Sequence, residues 1–158
     1  MILITWKFSS QLIKFFSVVK PSLSIHVYWK EIIRLLSDSF ETEVVFETAS
    51  LRSAMERSYL ISNASQSGTV KLEIVNGNVS ANVNSPEVGK VNEDIDVQDV
   101  SGSDLIISFN PTYLIDALKA LKSETVRVRF ISPVRPFTLT PADDSENFIQ
   151  LITPVRTN

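Results

Sequence analysis

The sequence predicts an α+β fold: a duplicated β-α-β-β-β unit whose two helices pack together on one face of antiparallel sheet. Three observations lead there. Two helical segments each carry one apolar stripe, at residues 49–62 and 110–122. Each follows one strand-like run and precedes three more. The strand-like runs are short and broken by turn chemistry, as antiparallel strands joined by hairpins should be. Each copy spans roughly 55–60 residues, long enough for one supersecondary unit but too short to bury a core alone.

The elements follow in order. "TEVVFET" (42–48) places Val44 and Phe46 on one face of a strand. "ASLRSAMERSYLIS" (49–62) is a helix with Thr48 or Ser50 available to cap it, and Leu51, Ala54, Met55, Ser58 and Ile61 form its buried stripe. "TVKLEIV" (69–75) and "NVSANVN" (78–84) flank Asn76-Gly77, a hairpin signal because both residues tolerate positive φ. "GKVNEDIDV" (89–97) is a weaker third strand. The order then recurs. "DLIISF" (104–109) is a strand, and Asn110-Pro111 opens the second helix as N-cap and N1. Leu114, Ala117, Leu118 and Leu121 make its stripe, while Thr112, Ile115, Lys119 and Lys122 are expected away from it. "TVRVRFI" (125–131) alternates strictly, with Val126, Val128 and Phe130 opposite Arg127 and Arg129. "RPFTLTP" (135–141) and "NFIQLIT" (147–153) complete the set.

Composition narrows the chemistry. The chain has 158 residues, 44% of them hydrophobic and 21% charged, enough for a core and unlike a disordered chain. It has no cysteine, which excludes disulfides, thiolate metal sites and a Cys nucleophile and fits a cytoplasmic location. The single histidine, His26, excludes a multi-His metal site. Charge is unevenly spread. Residues 1–34 hold five Lys/Arg and one acid, a net of +4; the remainder holds 15 − 5 = 10 bases and 18 − 1 = 17 acids, a net of −7. That break separates an amino-terminal segment from an acidic body over 35–158.

The amino-terminal segment is apolar and aromatic, yet Lys7, Lys14, Lys20 and Lys30 interrupt every apolar run. None approaches the ~18–20 residues a spanning helix needs, and no signal-peptide pattern is present. No membrane association is expected.

The order and wording of the motifs carry a family likeness. "LRSAMERSYLIS", "VNSPEVGKVNEDIDV", "SFNPTYLIDALKALKSETVRVRF", "SPVRPFTLTPADD" and "LITPVRTN" together resemble the third, C-terminal domain of bacterial sliding clamps. These are the beta subunits of DNA polymerase III, and the likeness is to the low-GC Gram-positive type over residues 35–158. The resemblance implies a non-catalytic subunit of a head-to-tail homodimer that closes into a ring around duplex DNA. Helices line the hole, and the ring tethers polymerase to its template. It needs no cofactor and no metal, and any polymerase activity belongs to the holoenzyme. The implied partners are duplex DNA, the polymerase alpha subunit, the clamp loader and other proteins bearing a clamp-binding motif. A chain of this size is not expected to provide processivity alone.

Residue by residue, the resemblance makes Arg52, Arg57, Lys119 and Lys122 the DNA-facing set. A sliding contact must hold phosphates without reading sequence, which suits long cationic side chains. On the residues alone the favoured reading is ordinary solvated helix charges, with Lys122 also suited to a helix C-terminus, and it is the resemblance that reverses this. The resemblance assigns Tyr113, Val134, Pro136, Leu151, Thr153, Pro154, Val155 and Arg156 to a hydrophobic pocket for partner peptides. Some relatives carry bulkier sulfur-containing side chains at the positions of Thr153 and Val155. Leu60 and Ile61 align with residues that bury against the partner subunit.

Residues 1–34 resemble nothing that precedes this domain in the family. Codons that encode residues 24–33, read one base earlier, can spell Phe-Tyr-Thr-Arg-Leu-Leu-Glu-Gly-Asn-Tyr, similar to the end of the family's second domain. The segment is therefore read as a possible out-of-frame translation, joined to the true frame near Arg34 and Leu35, and is expected to be poorly ordered or loosely helical. Two other functions stay open. Asp143, Asp144 and Glu146 in "PADDSEN" could bind Mg²⁺ in a nucleic-acid enzyme, although no nucleophile elbow or phosphate-cradling Gly loop accompanies them. The domain could also be a stand-alone peptide-binding module, or one fused to a membrane-active peptide.

Overall fold

The computed structural model describes residues 2–8, 11–17, 40–64, 68–85, 89–143 and 148–156. β1 (Ile2–Phe8) and β2 (Gln11–Ser17) pair antiparallel, with Ile2 opposite Ser17 and Phe8 opposite Gln11. This corrects the expectation of a loosely helical or unordered segment at these residues. Their density of β-branched and aromatic residues suits extended backbone.

The body is α+β, and its antiparallel strands are divided between two sheets. The first sheet has the order β11-β10-β9-β3-β7, from β3 (Thr42–Glu47), β7 (Asp99–Gly102), β9 (Thr125–Phe130), β10 (Phe137–Pro141) and β11 (Gln150–Ile152). The second has the order β6-β5-β4-β8, from β4 (Val70–Val75), β5 (Asn78–Ser85), β6 (Gly89–Ile95) and β8 (Leu105–Phe109). The repeat is thus closed by exchange. The leading strand of the first unit, β3, pairs with β9 of the second, and the leading strand of the second, β8, pairs with β4 of the first. Neither unit completes its sheet alone.

Helix α1 (Thr48–Ala64) packs on β4, β5 and β6 and lies against α2 (Pro111–Ala120). Leu51, Ala54, Met55 and Ser58 are buried as expected, Ser62 is buried too, and Ile61 packs on the core's edge. Small residues at 54, 58 and 62 let the helix approach its neighbours closely. Neither Thr48 nor Ser50 caps α1. Thr48 is its first residue, with its hydroxyl buried and unbonded, while its backbone N–H donates to the Glu124 carbonyl at 2.8 Å. The second helix starts as the sequence predicts: the Asn110 side chain accepts from the Thr112 N–H at 2.9 Å, and Pro111 is the first helical residue. Ile115, expected off the stripe, is buried, because a helix covered by both sheet and a second helix hides a wider arc than one stripe.

The Asn76-Gly77 hairpin forms with φ of 51° and 78°, the paired positive values of a type I′ turn. β7 has no counterpart in the sequence reading. It pairs with the outer edge of β3, and Gly102 ends it at φ 102°. A Cβ at Gly102 would lie 2.0 Å from the Glu41 carbonyl oxygen, so only glycine fits. The two sheets meet through aromatic rings. Phe109 of β8 lies edge-on to Phe137 of β10 at 5.2 Å, and Phe137 lies 5.0 Å from Phe130 of β9. Beyond β11, the Val155 N–H donates to the Ser108 carbonyl at 2.7 Å, tying the last described residues to β8.

Candidate nucleic-acid interface and partner surfaces

Packing α1 against α2 brings their charged flanks together. Lys119 of α2 reaches Glu56 of α1 at 3.8 Å, a contact possible only between adjacent helices. Arg52 sits on α1 half-buried, its Nε enclosed and without a hydrogen-bond partner. Lys122 is exposed but lies beyond the helix, one residue past the C-cap Leu121, rather than on it. Its charge there complements the negative helix end.

Arg57 behaves differently. It is exposed, and its Nε donates to Glu93 Oε1 of β6 at 2.8 Å, with a second bond from its terminal nitrogen to the same oxygen. The hydrogen bond to Glu93 raises the guanidinium's pKa above its ordinary value; slight desolvation opposes this and the carboxylate's charge adds to it. Arg57 is therefore cationic but already paired. Among the cations expected to face DNA, Arg57 engages Glu93 and Lys119 engages Glu56 of their own chain. Both pairs are exposed, so a phosphate can compete for either cation at little cost. Sequence reasoning missed these carboxylates. Nothing local connects Arg57 to a residue 36 positions away, or Lys119 to a glutamate on the other helix.

The residues expected to hold a partner peptide lie on α2, in the turn before β10, on β11 and in the segment that follows it. Tyr113 stands in the first turn of α2, four residues after Phe109, and remains 39% exposed. Pro136 precedes Phe137, Leu151 stands opposite Thr138 on β11, and Val155 is held beside β8 by its bond to Ser108. Thr153, Val155 and Arg156 are exposed, and Pro154 is half-buried. Val134 is 60% exposed in the turn before β10. Tyr113, Val134 and Val155 are thus large apolar side chains left in water.

A second apolar exposure lies on α1. Leu60 is 68% exposed and Tyr59 beside it 37%, while Ile61 turns in toward the core. The two residues expected at a subunit contact thus divide, one free in solvent and one completing the helix stripe.

The acidic loop does not assemble a metal site among the described residues. Asp143 Oδ1 lies 2.9 Å from the Ser123 hydroxyl, fastening this loop to the start of β9; Asp144 and Glu146 lie outside the described residues. On the first sheet, Glu43 accepts from Arg129 at 2.6 Å and pairs with Arg127 at 3.5 Å, so these arginines are spent on cross-strand pairing. Among the described residues, no helix is long and apolar enough to cross a membrane.

Comparison with known proteins agrees with this geometry. The family model for the C-terminal domain of the DNA polymerase III beta subunit matches residues 33–156. The beta sliding clamp of Streptococcus pneumoniae is 65% identical over 125 residues, covering 79% of this chain and 33% of the relative. That of Lactococcus lactis is 51% identical over 119 residues, covering 75% and 31%. Among solved structures, the beta subunit from DNA polymerase of Streptococcus pyogenes superposes with a TM-score of 0.74 at 73% identity, over 79% of this chain and 34% of that one. The DNA polymerase III beta chain of Streptococcus pneumoniae does so with 0.77 at 50% identity, over 98% and 41%. The chain spans about a third of the length of the curated relatives it matches. With two side-by-side helices, two antiparallel sheets and this match over most of its length, the chain belongs to the DNA polymerase III beta subunit family and carries that family's C-terminal domain.

Proposed function

We propose that the chain acts as the C-terminal domain of a sliding-clamp subunit, a non-catalytic part of a ring that encircles duplex DNA and tethers the polymerase. The observation that carries this is the pairing of α1 with α2, which brings Arg52 and Lys119 onto neighbouring helices with Lys122 just past the end of the second. In this reading these cations meet phosphates, and the acidic remainder of the body discourages adhesion to DNA elsewhere. Arg57 plays a lesser part, since Glu93 already holds it. The apolar residues along the seam receive a short peptide of the polymerase alpha subunit or clamp loader, and Leu60 buries against a second subunit. The described residues form one domain and do not close a ring, so contact with DNA is expected to be weak and strongly salt-dependent.

The test is binding of a short duplex by fluorescence anisotropy at low ionic strength, followed across a salt series. Each lost phosphate contact lowers the slope of log K against log salt by about 0.9. Lys119→Ala and Lys122→Ala should each do so, while Arg127→Ala, on the first sheet, leaves the slope unchanged. Equal slopes for all three variants would refute the reading. Residues 1–34 are proposed to be an out-of-frame translation, a view supported by the family match beginning at residue 33. The nucleotide sequence tests it, since an alternative frame must encode clamp-like residues.

A further inference from the structure

β11 ends the first sheet: among the described residues its backbone is bonded to β10 and to no strand on its other side. Such an edge is normally covered, because its unpaired N–H and C=O groups recruit further strands. Here the cover comes from the chain itself. The amino-terminal hairpin meets the body through β2, which lies beside β11. Thr138 marks a covered face at the same place. It stands opposite Leu151 and Arg129, on the side of β10 turned away from the core residues Phe137 and Leu139, and yet it is buried.

The hairpin suits that role. Two strands alone are marginal in water and need further packing. The β1–β2 register sets Ile2, Ile4, Trp6, Phe8, Ile13 and Phe15 on one face and Lys7 and Lys14 on the other, the pattern of a hairpin with one face to bury. Residues 1–34 carry a net of +4 against −7 for the rest, so the two attract. The superposition on the Streptococcus pneumoniae beta chain takes in 98% of this chain, and so runs through the hairpin, although the family match begins only at residue 33. The hairpin thus overlies chain that lies outside the C-terminal domain in that longer protein.

We propose that the amino-terminal hairpin is an intramolecular cap on β11, closing that edge of the first sheet against any further strand. The cap leaves Tyr113, Val134 and Val155 in water, so it guards the strand edge and not those apolar side chains. The inference rests on the packing of β2 against β11, and on neither the DNA reading nor the origin of residues 1–34.

The test uses the full chain, which contains no cysteine. Leu151→Cys is combined with a second cysteine in β2, at Leu12, Ile13, Lys14, Phe15 or Phe16 in turn, and each variant is oxidised. A disulfide within one chain is expected at some of these positions, since it forms only where Cα atoms approach within about 7 Å. None is expected when the second cysteine is Lys71→Cys, on the exposed face of β4. Labelling of the single Leu151→Cys thiol by a water-soluble maleimide then reads opening of the cap. Ile13→Pro with Lys14→Pro breaks β2, because neighbouring N–H groups point to opposite edges and one of the two donors belongs to the hairpin. Labelling at position 151 should quicken about tenfold or more in that background. An Ala54→Cys thiol, buried in α1, should stay unreactive with and without the prolines, which excludes general unfolding. Failure of every β2 position to link to position 151, or equal linking at position 71, overturns the proposal, as does labelling at 151 indifferent to the prolines. Should the prolines expose position 54 as well, the disulfide series alone decides.

Discussion

At the scale of the residue, two positions show how much one atom decides. Gly102 occupies φ 102° with the Glu41 carbonyl where a Cβ would stand, and β7 cannot close onto β3 around any other residue. Gly102→Ala should therefore cost roughly 3 kcal/mol or more, measured by denaturant unfolding, because backbone strain and overlap combine. Asn110→Ala should cost about 1 kcal/mol by the same measurement, since it removes the acceptor for the Thr112 N–H while Pro111 keeps the helix start in place. The Asn110 cap was legible in the sequence because cap and Pro stand side by side. The role of Gly102 was not, because its clash is with a residue 61 positions earlier in the chain.

At the scale of the element, pattern predicted type well and partnership poorly. Both helices and the strictly alternating β9 lie where periodicity puts them, and the Asn76-Gly77 turn has the φ values its residues favour. β7 was missed because "DVSG" has neither alternation nor β-branched density; pairing with β3 makes it a strand. Ile115 was misplaced because a single-stripe rule assumes one covered side, and α2 has two. The exchange of leading strands between units was likewise hidden, since period and spacing report elements and not their neighbours. The seam that results makes a prediction of its own. Phe137 joins both sheets through Phe109 and Phe130, so Phe137→Ala should cost about 3–5 kcal/mol. Exchange of the Val155 amide hydrogen should quicken as well, because its bond to Ser108 spans the same seam.

At the scale of the whole molecule, the duplicated unit sets two helices side by side. The candidate site was half legible. The cations and the exposed Leu60 were visible as residues off an apolar stripe, while the carboxylates that hold Arg57 and Lys119 became visible only with the chain folded. That finding makes Arg57 and Lys119 cations that must first leave Glu93 and Glu56 to meet a phosphate. The central claim is that duplex DNA meets the helix pair and not the sheets. Because the chain contains no cysteine, a single thiol carrying a short photo-crosslinker can be placed at will. Attached at Ala120→Cys beside Lys119, it should capture duplex DNA in a salt-sensitive manner, while the same probe at Lys71→Cys on the exposed face of β4 should capture none. Equal capture at both positions, or capture at position 71 alone, would contradict the account.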